Sequence, residues 1–143
     1  MPSILLATDA EWIYEEVDGA LSSDETVVYR VHAGVDVLPA LKELQPELVM
    51  LDLQIGNKGG MAVCMDIRAA EDMDRVPITA VMMLLDRAPD VFLAKRSRAD
   101  GWLIKPLDPF RIRKATDVLL SGYSYYEGVD EETDLPHGEI VEA

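Results

Sequence analysis

An α/β fold with a doubly wound, five-stranded parallel sheet is predicted by three features of the 143-residue sequence. Short apolar runs recur along it, segments of helical periodicity lie between them, and the two kinds alternate. Residues 4–8, 26–31, 47–52, 78–84 and 102–105 form the short runs, each mostly apolar on both faces, as strands covered by helices on both sides must be. Ile13, Val17, Ala20 and Leu21 fall on one helical stripe, and Val37, Leu38, Leu41 and Leu44 form a second. Helices are expected again at 60–71, 89–98 and 108–120, the last with Ile112, Ala115 and Leu119 on one side. Pro89 and Pro109 suit a first helical turn, and Asp108 suits an N-cap. The order is (βα)5, and right-handed crossovers would put helices on both faces of the sheet.

Composition sets the bounds. The length fits one domain with a short appendage, and 49% hydrophobic residues suffice for one core. No apolar run approaches the ~18 residues of a membrane span, and the opening MPSILLATDAEW lacks a signal peptide's basic start and cleavage site. A cytoplasmic protein without membrane insertion is expected. A single cysteine, Cys64, excludes an internal disulfide and a multi-thiolate zinc site, and His32 and His137 are too few for a histidine-rich metal site. Cys64 reads as a small buried residue and His32 as a surface one.

The net charge of −14 argues against nucleic-acid binding, which draws its affinity from cations that displace counterions. Seven carboxylates and no Lys or Arg lie in residues 122–143, so half of the net charge sits there. With Pro136 and Gly138 and no periodicity, this stretch reads as an acidic, flexible tail after a domain of residues 1–121. Conversely, eight of the 13 basic residues lie in 87–114, a segment of net charge +5. The plain reading is a solvated helix surface, and the sharper one is a face on which the acidic tail, its own or a dimer mate's, docks in competition with a partner.

Ligands of doubly wound sheets collect at the carboxyl ends of the strands, where Asp9, Asp52 and Lys105 are expected at the ends of strands one, three and five. In their local sequences these residues are ambiguous. A lone Asp after a strand is commonly a cap or turn residue, a Lys-Pro pair is commonly a turn, and Gly59-Gly60 can simply start a helix. Their joint placement is the signal. No Walker A or GxGxxG run follows a strand, and no nucleophile–histidine pair is evident, which disfavours a nucleotide-binding or enzymatic reading.

The segments ILLATDAEW, ELVMLDLQIGNKGGMAV and ADGWLIKPLDPFRI resemble the acidic loop, phosphoacceptor strand and closing Lys-Pro strand of response-regulator receiver domains. The similarity covers roughly residues 3–120, with Lys105 following Asp52 by 53 residues and the loop glycine Gly60 by eight. The resemblance implies a flavodoxin-like, receiver-type sheet of order 2-1-3-4-5 and an atypical stand-alone member of a two-component or phosphorelay pathway. It implies Asp52 as phosphoacceptor, Lys105 as the cation opposite, and Mg²⁺, weakly bound, on Asp9, Asp52 and the backbone carbonyl of Gln54. Lys105-Pro106 is expected to be cis. A histidine kinase or phosphotransfer protein is the implied donor. A downstream protein or a homodimer is the implied output, through the face of helix four, strand five and helix five. Beyond Mg²⁺-dependent self-phosphorylation and self-dephosphorylation, no enzyme activity is implied.

Three positions depart from the family pattern. Thr8 stands where receivers usually carry the first of two adjacent acids. The strand-four Ser or Thr falls by counting on Met82 or Met83, or with a slip of two residues on Leu84 or Leu85, and none of these donates a hydrogen bond. Trp102 replaces the usual Tyr or Phe switch residue, and a fixed packing role is favoured for it. These departures support an alternative reading, a phosphorylation-independent pseudo-receiver that acts as a protein-binding module.

Overall fold

Alternation of side chains divides the core into two halves. In a computed structural model, which describes residues 2–128 and the strand 140–142, β1 (Ser3–Ala7) sends Leu5 and Ala7 to one side of the sheet and Ile4 and Leu6 to the other. β3 (Leu48–Asp52) and β4 (Ala80–Leu85) repeat the pattern. Val49, Leu51, Val81, Met83 and Leu85 pack with Val37 and Leu41 of α2 (Val37–Leu44), Val63 and Ile67 of α3 (Gly60–Asp72), and Val91 and Ala94 of α4 (Val91–Arg96). Leu48, Met50, Met82 and Leu84 pack instead with Ile13 and Val17 of α1 (Glu11–Leu21) and with Ile112, Ala115 and Leu119 of α5 (Pro109–Leu120). Each such Val, Leu, Ile or Met side chain, fully removed from water, contributes about 1.5–3 kcal/mol.

The strands run in the order β2-β1-β3-β4-β5, with β2 at Val27–Val31 and β5 at Gly101–Ile104, all parallel, as predicted. A 3₁₀ turn, Ala88–Asp90, precedes α4 and carries Pro89. Asp108 caps α5, accepting the Arg111 N–H at 2.9 Å. His32 is exposed and Cys64 is buried, its thiol pushed up to about 11 by burial.

The sheet does not stop at five strands. β6 (Tyr123–Tyr125) joins β5 in parallel, and β7 (Ile140–Glu142) pairs antiparallel with β6. Gly101 permits the first junction, because a Cβ there would lie 2.6 Å from the Tyr125 carbonyl oxygen. Residues 123–128 are thus part of the fold, a correction to the expected tail from 122 onward. Ser124, Tyr125 and Glu127 are buried. The rest of the acidic block, residues 129–139, lies outside the described residues, as do Met1 and Ala143.

Candidate functional site

β1, β3, β4 and β5 all end on one rim, and each delivers a polar residue to it: Thr8 and Asp9, Asp52, Asp86 and Lys105. Asp52 closes β3 at the parity of Leu48 and Met50, and it is only 1% exposed. A carboxylate so far from water needs compensating donors, and three supply them. Lys105 Nζ donates to Oδ1 at 2.7 Å, the Gln54 N–H donates to the same oxygen at 3.1 Å, and Thr8 Oγ1 donates to Oδ2 at 2.8 Å. The turn beyond Asp52 is held by the Ile55 N–H on the Asp52 carbonyl at 3.1 Å, and a Cβ at Gly60 would stand 2.6 Å from that carbonyl oxygen.

Lys105 is shared. Its ammonium also donates to Asp86 Oδ1 at 2.8 Å, while Gln54 Nε2 donates to Asp86 Oδ2 at 2.6 Å. Burial disfavours the Lys105 charge, but bonds to Asp52 and Asp86 outweigh it and hold the ammonium above the ordinary lysine range. Burial likewise opposes ionisation of Asp86, and the bonds from Lys105 and Gln54 hold its carboxyl below the usual range. Lys105-Pro106 is cis, as expected. Asp9 is exposed, and its Oδ2 accepts the Gly56 N–H at 3.1 Å.

The expected trio of Asp9, Asp52 and Lys105 therefore stands on one rim, with Lys105 bonded to Asp52. Asp86 and Thr8 were not selected from the sequence as contributors to it. Asp86 carried the same signal as Asp9 and Asp52, an acid just past an apolar strand. Its sequence position marks Thr8 only as a missing acid. The strand-four position also needs correction. Register pairs Asp52 with Leu84, whereas Met82 pairs with Met50 and Met83 with Leu51, both deep in the core. Leu84 lies within the two-residue slip that the sequence allows, and it too lacks a side-chain donor.

Among the described residues, no group of three or more His, Cys, Asp and Glu could hold a metal ion. A family-type magnesium site would need fewer protein ligands, two carboxylates and one carbonyl with waters completing the shell. Lys105, which has Asp86 as a second acceptor, can yield its place on Asp52 Oδ1 to a cation while Oδ2 keeps its own lone-pair position, and Asp9 stands at the end of the neighbouring strand. This all-oxygen set fits a hard cation held weakly.

Trp102 is fixed. Its indole N–H donates to the Glu127 carbonyl at 2.8 Å, its ring stacks on Tyr126 at 4.4 Å between centroids, and it is 2% exposed. The Glu127 carboxylate is itself tied down, accepting the Ile104 N–H at 2.9 Å, Arg111 Nε at 2.7 Å and Arg111 Nη2. Of the eight basic residues in 87–114, Lys105 and Arg111 are turned to internal partners, Arg111 to Glu127 among the described residues of the acidic segment.

A doubly wound α/β domain with an acid-and-lysine rim of this kind has the architecture of a signalling receiver. The response regulator receiver domain family matches residues 4–117, and the chain belongs to that family. It is 32% identical over 107 residues to the transcriptional regulatory protein AfsQ1 of Streptomyces coelicolor, covering 75% of this chain and 46% of that protein. It is 33% identical over 100 residues to the DNA-binding response regulator MtrA of Mycobacterium tuberculosis, covering 64% and 42%. The chain thus spans less than half the length of these relatives. Among solved structures it resembles the chemotaxis response regulator CheY4 of Vibrio cholerae, with TM-score 0.72, 20% identity, and 82% and 97% of the chains covered. It also resembles a LuxR-family two-component response regulator of Aurantimonas sp., with TM-score 0.75, 18% identity, and 92% and 93% covered.

Proposed function

We propose that the chain is a response-regulator receiver that accepts a phosphoryl group on Asp52 from a histidine kinase or phosphotransfer protein. It then signals through protein–protein contacts or phosphorelay in the cytoplasm. One observation carries the reading: a buried carboxylate held by Lys105 at 2.7 Å, with one oxygen still able to use a lone pair. Asp52 attacks the phosphorus of a phosphohistidine, the P–O bond forms as the P–N bond breaks, and the electron pair stays with the imidazole nitrogen. Lys105 and the Gln54 N–H hold the unreacting oxygen, so the nucleophile meets phosphorus in one orientation. Mg²⁺, held by Asp9, Asp52 and the Gln54 carbonyl, would supply positive charge against the phosphoryl oxygens.

Output through nucleic acid is disfavoured by the net charge of −14. A partner or homodimer face on α4, β5 and α5 is narrowed by β6, which covers the edge of β5. Phe92 on α4 and Phe110 on α5 remain 52% and 69% exposed. The pseudo-receiver reading gains from Leu84 beside Asp52 and from the sharing of Lys105 with Asp86. Incubation with Mg²⁺ and acetyl phosphate, read by intact mass, separates the two. The expected result is an adduct of one phosphoryl group that Asp52→Asn removes, and no adduct, or one that survives the substitution, would establish the alternative.

A further inference from the structure

We propose that Thr8 is a positioning residue for phosphoryl transfer, supplying from the end of β1 the hydroxyl that β4 lacks. The inference rests on the phosphoacceptor reading of Asp52. Two opposite features of the rim motivate it. Leu84, paired in register with Asp52, has no polar atom in its side chain, and the next residue of that parity, just past β4, is a carboxylate, Asp86. On the other flank β1 carries not an acid but Thr8, 0% exposed, with Oγ1 2.8 Å from Asp52 Oδ2. Hydroxyl and second acid have exchanged sides of the acceptor.

The Thr8 hydroxyl has no freedom to turn away. It accepts the Ala10 N–H at 3.0 Å, so its own proton is left to point at Asp52. Since Lys105 and the Gln54 N–H fill Oδ1, the oxygen with a remaining lone pair is Oδ2, and that is the one Thr8 touches. Thr8 therefore selects the rotamer that presents Oδ2 to phosphorus. When the Oδ2–P bond forms and the bond to the donor's nitrogen breaks, the same hydroxyl lies close enough to pass its hydrogen bond to a phosphoryl oxygen. Asp86, bonded to Lys105 and Gln54 at 2.8 and 2.6 Å, contributes no such donor.

The test compares phosphoryl uptake from acetyl phosphate with Mg²⁺, and affinity for beryllofluoride, in wild type, Thr8→Val, Thr8→Ala and Thr8→Ser. Thr8→Val and Thr8→Ala should lose about ten-fold or more in both measures, the effect of one charge-assisted hydrogen bond. Thr8→Ser should recover most of the loss. Thr8→Ser and Thr8→Ala differ by the hydroxyl alone, so that pair decides the matter even if Thr8→Val fails to fold, and unfolding midpoints measured alongside separate folding from positioning. Uptake in Thr8→Ala equal to wild type, or equal losses in Thr8→Ser and Thr8→Ala, would overturn this inference alone. Absence of uptake in wild type would overturn the phosphoacceptor reading and this inference together.

Discussion

Two charged clusters hang on β5, and they are finished to different degrees. At its carboxyl end Lys105 is divided between Asp52 and Asp86, and the neighbouring Asp9 and Gln54 are exposed. Beside it, Glu127 is 2% exposed and has both carboxylate oxygens doubly engaged. Its carboxylate holds Arg111, the Ile104 N–H and the Tyr125 hydroxyl, and its carbonyl holds Trp102. The first cluster keeps a free lone pair and an open side, which reaction needs. The second keeps none, which is what a structural tie needs.

The largest expected effect breaks the second cluster. Glu127→Ala leaves the Arg111 guanidinium and the Ile104 N–H without their main acceptor. Removing one member of a buried pair costs about 3–5 kcal/mol, and the lower end applies because Arg111 keeps Asp108 and its side chain is 27% exposed. Denaturant unfolding should register about 3 kcal/mol, with Trp102 emission shifting as Tyr126 leaves it. A loss below about 1 kcal/mol would mean that residues 123–128 are a loose appendage.

A smaller effect sharpens the first cluster. Asp86→Asn removes a negative charge beside the acceptor and lets Lys105 turn to Asp52. Because the Asp86 side chain is 29% exposed, solvent screens the gain to ~1 kcal/mol. Calorimetric titration should show beryllofluoride binding tightened roughly five-fold. Weaker binding would instead make Asp86 part of what holds the anion.

The smallest effect is in pH. The Lys105 ammonium titrates above its ordinary 10.5 in the fold, so its contribution to stability is complete below that pH and is lost as pH rises through the raised value. Asp86 titrates below its ordinary 3.8, so its contribution is present above that pH and is lost as pH falls through the lowered value. Thermal unfolding of wild type and Asp86→Asn should therefore differ above pH 4 and converge in stronger acid. Curves that stay parallel to the acid limit would show that the Lys105 bond adds nothing to stability.

The sequence alone determined the five-strand, five-helix frame and the trio on its rim. Buried parallel strands must be apolar on both faces, and a polar residue that ends such a run must emerge at the sheet's edge, so Asp9, Asp52 and Lys105 were legible from strand position. Asp86 meets the same condition, but an acid just past a strand is as often a turn or cap residue, and its local sequence does not separate the two. What only the tertiary structure decided is which residues meet across strands and what covers the last one. Register put Leu84 rather than Met82 or Met83 beside Asp52, since a connection of unfixed length lies between Lys105 and the end of β4. Burial turned Glu127 from one acid of a charged block into the tie for Trp102 and Arg111. A carboxylate's role follows from the donors around it, and those donors come from residues far away in the chain.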